Sequence, residues 1–444
     1  MGDKMKITLV GGGSYSWTPG LARDFLTNDF FRGIEVCLYD INASALDDMI
    51  ELCHLYQTCV PGNNIRFGKT TDLKEALSGA SYVIVAISHG GLEAELEDHR
   101  IARRYGFYNL KGSEVGIAGC SRTLRHVPEF VRIAGAMEKH CPGAMLLNVT
   151  NPLTAVTRCV NKYTSVKAAG FCHGVMNHLE ILLPLFGADS WEGVEFTVAG
   201  VDHCTWQLEV KYKGKDALQM MRDKGLIEAA KQGCEIASYE DPFAGVENQR
   251  LRFLLWDIIG YLPAISDEHC AEFFGQIMKT EEARKYYGIT YDRIANRTAS
   301  VAKDKGKVKS LLEGTIKPNF KSSGEILHRF IAALNGGGEF VGVVNYPNMG
   351  QVGNLPRETV VETKCLIDSN GVHPVHAGEL PPILDSIVRP VALREELYME
   401  AAMENNMQKL RGALSMDPLV NDFSKIDEVC TELMEYNRRF RRSE

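Results

Sequence analysis

Two polar motifs near the start of the chain combine residue types that bind nucleotides. Gly11-Gly12-Gly13-Ser14 follows a β-branched run and precedes a predicted helix. Glycines in this position allow a tight turn and let a pyrophosphate approach the N–H groups at the start of the helix. Ser16 replaces the third glycine of the usual fingerprint, so this turn alone is weak evidence. Asp40 ends the next predicted strand, where an acid can accept a hydrogen bond from a ribose hydroxyl.

Strand, glycine turn, helix, second strand and acid together predict a dinucleotide site. The acid favours NAD over NADP, because a carboxylate at Asp40 would repel the 2′-phosphate. We expect Gly11, Gly13, Ser14 and Asp40 to contact the cofactor. The alternative for Asp40 is a helix cap that it forms together with Asn42.

A pair of amides follows the fourth predicted strand, in Asn148-Val-Thr-Asn151-Pro152. Ligands of open α/β sheets bind at the carboxyl ends of strands, so these amides can reach a nicotinamide ribose or a sugar hydroxyl. We expect Asn148 to contact the cofactor, and Asn151 fits either partner at this point. The alternative is a simple turn before a helix that begins at Pro152.

A thiol and an imidazole form the third group. Cys172-His173 closes the fifth predicted strand, and Asp202-His203 follows later in the chain. One thiolate and one imidazole suit Mn²⁺, Fe²⁺, Co²⁺ or Ni²⁺. Two protein ligands leave positions for substrate hydroxyls, and chelation acidifies a hydroxyl or a neighbouring C–H. Taken singly, Cys172 fits a core position equally well, and His203 fits a satisfied polar position.

The elements that position these groups change character near the middle of the chain. In the first half, β-branched runs at Lys6–Val10, Ile34–Tyr39, Tyr82–Ile87, Ala144–Asn148 and Val166–Phe171 alternate with amphipathic stretches at Thr18–Phe31, Ala43–Thr58, Ser121–His140 and Pro152–Tyr163. This alternation predicts an α/β fold with a Rossmann-like, doubly wound parallel sheet over residues 1–185.

Beyond residue 185, strands and long helices mix. Strand-like segments are Val194–Gly200, Gln207–Tyr212, Phe340–Tyr346 and Glu358–Asp368, and helical ones are Gln249–Gly260, Tyr291–Leu312 and Ile383–Met407. We therefore expect a second, mixed α+β domain over residues 186–444, packed on the first without a flexible linker.

The composition excludes several classes of protein. Hydrophobic residues make up 45% and charged residues 24%, as in ordinary globular chains. A net charge of −8 argues against nucleic acid as partner, and no apolar run approaches the ~20 residues that span a bilayer. Twelve cysteines are too dilute for a disulfide scaffold, and no signal peptide is apparent, so we expect a reducing cytoplasm.

Combined, these motifs resemble glycoside hydrolase family 4, the NAD- and divalent-metal-dependent glycosidases. The matching segments are Gly11–Ser14, Asn148–Leu153, Cys172–Val175, Asp202–Trp206, Asn335–Glu339 and Asn345–Pro356. The resemblance implies a hydrolysis outside the usual two-carboxylate scheme. NAD⁺ takes hydride from C3, the metal, such as Mn²⁺, acidifies the C2 proton, and a base removes it. The aglycone leaves C1, water adds, and the hydride returns.

Roles for single residues follow from the same resemblance. It implies that Cys172 and His203 bind the metal, Asn151 contacts a sugar hydroxyl, His173 is the leaving-group acid, and Asp267 is the C2 base with Tyr261 in reserve. The alternative for Asp267 and Tyr261 is a solvated loop. Asp202 departs from the family pattern, because Asn is usual before the ligand His. A homodimer or homotetramer is also implied.

The residues after Cys172 indicate the substrate class. Within the family, Cys-His forms resemble the enzymes of unphosphorylated α-glycosides, and Cys-His-Gly most resembles the α-glucuronidase branch. Asn345–Thr363 resembles the α-galacturonidase branch. A uronide needs a cation at C5, and we expect Arg122 there, with Arg125 and Arg100 as the other candidates. An α-hexuronidase is therefore our expectation.

Other functions remain open at this point. A neutral α-glucosidase, an α-galactosidase or a 6-phosphoglycosidase is the alternative within the family. A lactate/malate-type dehydrogenase is the alternative outside it, although its His-Gly-Glu-His-Gly-like segment is absent from the sequence. A binding module that senses NAD without catalysis is the third class.

Overall fold

The computed structural model describes residues 5–232, 238–241, 245–248, 250–289 and 292–441. The strands are β1 (Lys6–Val10), β2 (Glu35–Tyr39), β3 (Arg66–Thr70), β4 (Tyr82–Val85), β5 (Met145–Asn148), β6 (Ala168–Gly170), β7 (Val194–Val201), β8 (Cys204–Tyr212), β9 (Lys215–Asp216), β10 (Ser238–Asp241), β11 (Gly245–Asn248), β12 (Leu262–Pro263), β13 (Phe340–Pro347), β14 (Val360–Asp368) and β15 (Gly371–Pro374).

The helices of the first half are α1 (Thr18–Thr27), α2 (Ala43–Cys59), α3 (Leu73–Leu77), α4 (Gly91–Arg104), α5 (Gly116–His140), α6 (Leu153–Tyr163), α7 (Gly174–Glu180) and α8 (Leu183–Phe186). Those of the second half are α9 (Ala217–Asp223), α10 (Leu226–Lys231), α11 (Arg250–Ile259), α12 (Asp267–Glu272), α13 (Gly275–Met278), α14 (Glu281–Tyr286), α15 (Arg293–Leu312), α16 (Leu327–Leu334), α17 (Pro382–Glu404), α18 (Met407–Ser415) and α19 (Ile426–Arg438).

A nine-stranded sheet forms the centre of the molecule. Its order is β15-β14-β13-β6-β5-β4-β1-β2-β3, and the six strands from β6 to β3 are parallel. The predicted Rossmann-like parallel sheet is thus confirmed. Strands β13, β14 and β15 extend it in antiparallel fashion, starting from the pair Asn345–Gly170. The sheet therefore includes strands from beyond residue 185, and a domain boundary at that residue stays a prediction.

Helices cover both faces of this sheet. In β4, Val83 and Val85 pack with α5, α6 and the C-terminal helices, whereas Ile84 packs with α1, α2 and α16. Successive side chains of a strand point to opposite faces, and a strand buried on both faces reads as a continuous apolar run. This is why β4 was visible in the sequence as Tyr82–Ile87.

A second, four-stranded sheet carries one important turn. Strands β7 and β8 form an antiparallel hairpin, to which β12 and β9 add through β8. Only Asp202 and His203 lie between the paired residues Val201 and Cys204. A two-residue hairpin turn demands unusual backbone angles, and His203 has a φ of 62°.

Most predicted elements agree with the structure, and the exceptions have a physical cause. Strand β3 was missed because it is an edge strand with no buried residue and no apolar alternation. Helix α4 was missed because its sequence is largely charged and begins with Gly91. Gln249 and Tyr291, predicted to start two helices, lie outside the described residues. Among the described residues, no helix is both long and apolar enough to cross a membrane.

One aromatic pair joins the sheet to the second half of the chain. Phe171, directly after β6, meets Phe330 of α16 edge-to-face with ring centroids 4.8 Å apart, and Phe330 is fully buried. Phe330→Ala should lower the free energy of unfolding by about 3–5 kcal/mol, because it leaves a cavity at this junction. Chemical denaturation measures the effect.

Phe423→Ala is the matched control, because Phe423 is 67% exposed. We expect that variant to change stability by less than about 0.5 kcal/mol. Equal losses in both variants would contradict the packing role of Phe330.

Candidate active site

A cavity of about 620 Å³ lies at the carboxyl ends of β1, β2 and β4. Four of the predicted cofactor residues line it, namely Gly11, Gly13, Ser14 and Asp40. This is the edge of an open α/β sheet where nucleotides bind. The structure therefore brings these four residues together as the sequence predicted.

Backbone geometry explains the glycines. Gly11 has a φ of 94°, and a Cβ there would lie 2.2 Å from the carbonyl oxygen of Ala86. The N–H of Gly13 donates to Asp40 Oδ2 at 3.0 Å. Asn42, and not Asp40, caps α2 by accepting from the N–H of Ala45. Asp40 therefore orders the glycine turn and still faces the cavity.

Residues near the C-terminus contact the far wall of this cavity and stabilise it. His89 lines the cavity, and its Nε2 lies 2.8 Å from the carbonyl oxygen of Phe440. Arg125 donates to the carbonyl oxygen of His89 at 2.6 Å and also to Asn437 of α19. Its guanidinium pairs with the buried Asp98 at 2.7 Å. Arg125 therefore stabilises the wall of the cofactor cavity. It does not line the second cavity.

A second cavity of about 270 Å³ adjoins the first. The two share Ser14, Ser88 and Glu95, so they form one continuous cleft. The predicted residues that line the second cavity are Asn151, Arg122, Cys172, His173 and His203. The cleft thus places a dinucleotide-type cavity directly beside the thiol and the imidazole.

Cys172 and His203 reach this cavity from different elements. Cys172 follows β6, and its Sγ accepts from the N–H of Gly174 at 3.3 Å. His203 comes from the β7–β8 turn, and its Nδ1 lies 2.7 Å from Glu114 Oε2. Ligand-type atoms of Cys172, Asp202 and His203 all lie within 4.8 Å of one another. Glu114 orients the imidazole through Nδ1, as carboxylates do for metal-binding histidines, and leaves Nε2 available.

The charges of the groups around Cys172 and His203 indicate whether a divalent cation fits here. Burial raises the pKa of the Cys172 thiol well above its usual range, and Asp202 and Glu362 raise it further. Both carboxylate oxygens of Asp202 are buried without a hydrogen-bond partner in the described part of the chain. A cation would stabilise all these groups in their charged forms. Thiol, imidazole and carboxylate are also a donor set that divalent transition metals accept, so the residues fit the ion.

His173 lies at the mouth of the same cavity. Its Nδ1 is 3.1 Å from Glu325 Oε1, and Glu325 is 4% exposed. A carboxylate next to one ring nitrogen fixes the tautomer and the orientation of an imidazole, as proton transfer by that ring requires. This arrangement suits the predicted leaving-group acid, although nothing in the sequence linked Glu325 to His173.

Cations form one wall of the second cavity. Arg122, Arg293 and Arg297 all pair with Glu95, which is 1% exposed. Burial alone would raise the pKa of Glu95, but the three guanidiniums hold it well below its usual range. Three guanidiniums on one carboxylate leave a net positive charge in the cleft, and Lys111 lines the same cavity. Arg100 is exposed elsewhere and pairs with Glu93, so it does not contribute.

Three predicted site residues do not line either cavity, and their placement corrects the sequence analysis. Asn148 is fully buried, and its side chain forms hydrogen bonds with Thr150 of the following loop and with Thr157 of α6. It shapes the loop that carries Asn151 instead of touching a cofactor. Tyr261, the reserve base, is half-buried and packs against an apolar cluster that includes Trp206.

Asp267 is the third correction. Its two carboxylate oxygens accept from the N–H groups of Leu251 and Arg252 at 2.8 and 3.0 Å, so it caps the start of α11. Its neighbours Ile265, Ser266 and His269 line the second cavity, and Asp267 does not. The sequence could not distinguish these positions, because consecutive residues at a helix start point in different directions.

Several polar residues of the site gave no usable signal in the sequence. Glu95 and Arg293 lie in charged, amphipathic stretches that are typical of surface helices, and Glu114 lies in the bend before α5. His269, whose ring stacks on His203 with centroids 3.8 Å apart, lies two residues from the predicted base.

Comparison with known proteins is consistent with this geometry. The family model described as family 4 glycosyl hydrolase matches residues 6–186, and the one for the C-terminal domain of the same family matches residues 198–420. An α-galacturonidase of Thermoanaerobacterium saccharolyticum is 30% identical over 98% of this chain and 96% of its own length. An α-galactosidase of Bacillus subtilis is 30% identical over 93% of each chain.

Solved structures show the same fold. The Bacillus subtilis protein lplD has a TM-score of 0.88 at 29% identity and covers 97% of this chain and 100% of its own. A 6-phospho-beta glucosidase of Thermotoga maritima, solved with manganese, NAD⁺ and glucose-6-phosphate, has a TM-score of 0.79 at 22% identity, covering 98% and 99%. Fold, site and comparisons define a glycoside hydrolase. More specifically, the chain belongs to glycosyl hydrolase family 4.

The capping role of Asp267 makes a stability prediction. Asp267→Ala leaves two buried N–H groups without acceptors, so it should lower the free energy of unfolding by about 1–3 kcal/mol for each. Asp267→Asn keeps one acceptor and should lose less. A base in the reaction would instead lose turnover in both variants, with stability intact in the Asn variant. Denaturation curves and rates measured together distinguish the two roles.

The pH dependence of stability gives a second check on this residue. Burial raises the pKa of Asp267 to about 8, whereas an unfolded aspartate titrates near pH ~3.9. The contribution of the protonated carboxyl is therefore complete below pH ~4 and is lost as the pH rises towards the folded pKa. Between these limits, the wild-type chain should lose more stability than Asp267→Asn. Parallel curves for the two proteins would contradict this.

Proposed function

We propose that this chain hydrolyses unphosphorylated α-hexuronides, with α-galacturonides as the first choice. The observation that carries the proposal is the cationic wall of Arg122, Arg293, Arg297 and Lys111 beside the thiol and the imidazole. A C5 carboxylate needs such a partner, whereas a neutral hydroxymethyl group does not. Several relatives at 26–30% identity over nearly the whole chain are named α-galacturonidases, which supports the same choice.

NAD and a divalent metal, most suitably Mn²⁺, are the cofactors of the proposed reaction. When bound, NAD⁺ supplies the hydride acceptor for C3 and the cation supplies the Lewis acid that acidifies the C2 proton. Gly11, Gly13 and Ser14 would hold the pyrophosphate, and Asp40 would accept from the ribose hydroxyls. Cys172 and His203 would hold the cation.

Residues of the second cavity would bind the sugar and donate the proton to its leaving group. Asn151 presents its amide to a hydroxyl, while His126 Nδ1 lies 2.7 Å from the carbonyl oxygen of Asn151 and fixes that loop. His173, oriented by Glu325, donates a proton to the leaving oxygen. Each of these groups lines or directly supports the cavity that would contain the sugar.

The C2 proton needs an acceptor, and we propose His269 in place of Asp267. Its ring lines the cavity and stacks on His203. Burial lowers the pKa of His269 well below its usual range, so the imidazole is unprotonated. The cytoplasmic location and the homodimer or homotetramer stay predictions.

A neutral α-galactoside is the second candidate substrate, because an α-galactosidase is among the relatives at 30% identity. A panel of nitrophenyl α-glycosides with NAD⁺ and Mn²⁺ separates the possibilities. We expect kcat/KM to be highest on the α-galacturonide or α-glucuronide. Turnover confined to 6-phosphoglycosides would contradict the proposal, and net NADH production would indicate a dehydrogenase.

The cationic wall makes a specificity prediction. Arg122→Met removes one guanidinium, while Arg293 and Arg297 still neutralise Glu95, so the fold should survive. We expect kcat/KM on the uronide to fall about 10- to 100-fold, the worth of a hydrogen bond to a charged group, with little change on a neutral galactoside.

Arg100→Met is the matched control, since it removes an arginine of the same half that lies outside the cleft. It should leave both rates unchanged. An equal fall in kcat/KM on charged and neutral sugars in Arg122→Met would show that Arg122 does not recognise the carboxylate.

A further inference from the structure

Asp202 lies next to the predicted ligand His203, and its side chain has no role in the reaction described above. It is fully buried, and neither carboxylate oxygen has a hydrogen-bond partner among the described residues. Its one ion-pair contact there is with Nδ1 of His203, at 3.5 Å. That nitrogen already has Glu114 as a closer partner at 2.7 Å. Orientation of the imidazole therefore does not require Asp202.

The surroundings of Asp202 make its burial costly without a cation. The carboxyls of Glu114, Glu362 and Glu395 act on it electrostatically, and His203 is the group that opposes them. Glu362 accepts hydrogen bonds from Thr205 and Asn345, and neither of these bonds involves Asp202. Burying a carboxylate without donors or a counter-charge costs several kcal/mol. A positive charge at this point would remove that cost.

Asp202 lies close to the two predicted ligands in space. The turn that contains Asp202 and His203 is only two residues long, so both side chains are fixed by one strained backbone segment. Ligand-type atoms of Cys172, Asp202 and His203 lie within 4.8 Å of one another, a spread that a single ion can close with small side-chain shifts.

We propose that Asp202 is a third protein ligand of the divalent cation, beside Cys172 and His203. The inference rests on the metal dependence in the proposed function. A carboxylate is a harder donor than a thiolate or an imidazole, so its addition favours Mn²⁺ over softer ions. As a third protein ligand it would also let the chain hold the cation without the sugar. Asn, the residue usual in the family, would supply a weaker neutral oxygen.

Mn²⁺ binding to the full chain, without sugar, tests this. Isothermal calorimetry on the wild type and on Asp202→Asn should show at least a 10-fold weaker Mn²⁺ affinity in the variant. Glu362→Gln is the matched control: it removes a buried carboxylate of the same neighbourhood that hydrogen-bonds Thr205 and Asn345, and it should change the affinity less than 3-fold. NAD⁺ affinity, measured in parallel, should be equal in all three proteins and reports correct folding.

The results test the third ligand and the metal dependence of the reaction separately. Equal Mn²⁺ affinity in Asp202→Asn and wild type overturns the third ligand, as do equal losses in Asp202→Asn and Glu362→Gln. A wild-type chain that binds no Mn²⁺ overturns the metal dependence of the proposed function. If Asp202→Asn does not fold, a crystal structure of the wild type with Mn²⁺ decides the matter, because a ligand oxygen must lie about 2.0–2.2 Å from such an ion.

Discussion

Buried negative charge around His203 is the constraint on which the rest of this structure depends. The Cys172 thiol lines the second cavity, and the carboxyls of Glu114 and Asp202 are buried close to His203. A protein tolerates such a group only when a cation or a proton compensates it. The site is thus built for an ion, and its position beside the dinucleotide cavity determines which atoms of a bound sugar that ion can reach.

The extended sheet is what brings these groups together. Cys172 follows β6, the last parallel strand, whereas His203 belongs to a separate hairpin. Strands β13 and β14 connect the two, because Asn345 of β13 donates to Glu362 of β14, and Glu362 also accepts from Thr205 of β8. Pairing of β13 with β6 then fixes this group against the end of the parallel sheet. The antiparallel extension is therefore part of the active site as much as of the fold.

Local patterns in the sequence predicted the groups that sit at strand ends. Gly11, Asp40, Cys172 and His203 follow strands or turns that hydrophobic periodicity reveals, and the structure brings each to the cleft. Asp267, the predicted base, lies outside both cavities. It begins a short helix, where a shift of two residues exchanges a capping carboxylate for the cavity-lining His269.

Local sequence patterns could not predict contacts between residues that are far apart in the chain. Glu325 meets His173, and Arg293 and Arg297 meet Glu95, only after the chain has folded. Nothing in their own neighbourhoods distinguishes them from surface charges. The same holds for Phe440, which supports the cofactor cavity from the far end of the chain.

Solvent exchange at C2 of the sugar is the measurement that tests the central claim most directly. The account requires a base in this cleft to remove the C2 proton of an oxidised sugar before the glycosidic bond breaks. Turnover of a nitrophenyl α-galacturonide in D₂O with NAD⁺ and Mn²⁺ should therefore give galacturonic acid that carries deuterium at C2, with no net NADH. Complete hydrolysis with the original hydrogen retained at C2 would contradict the account.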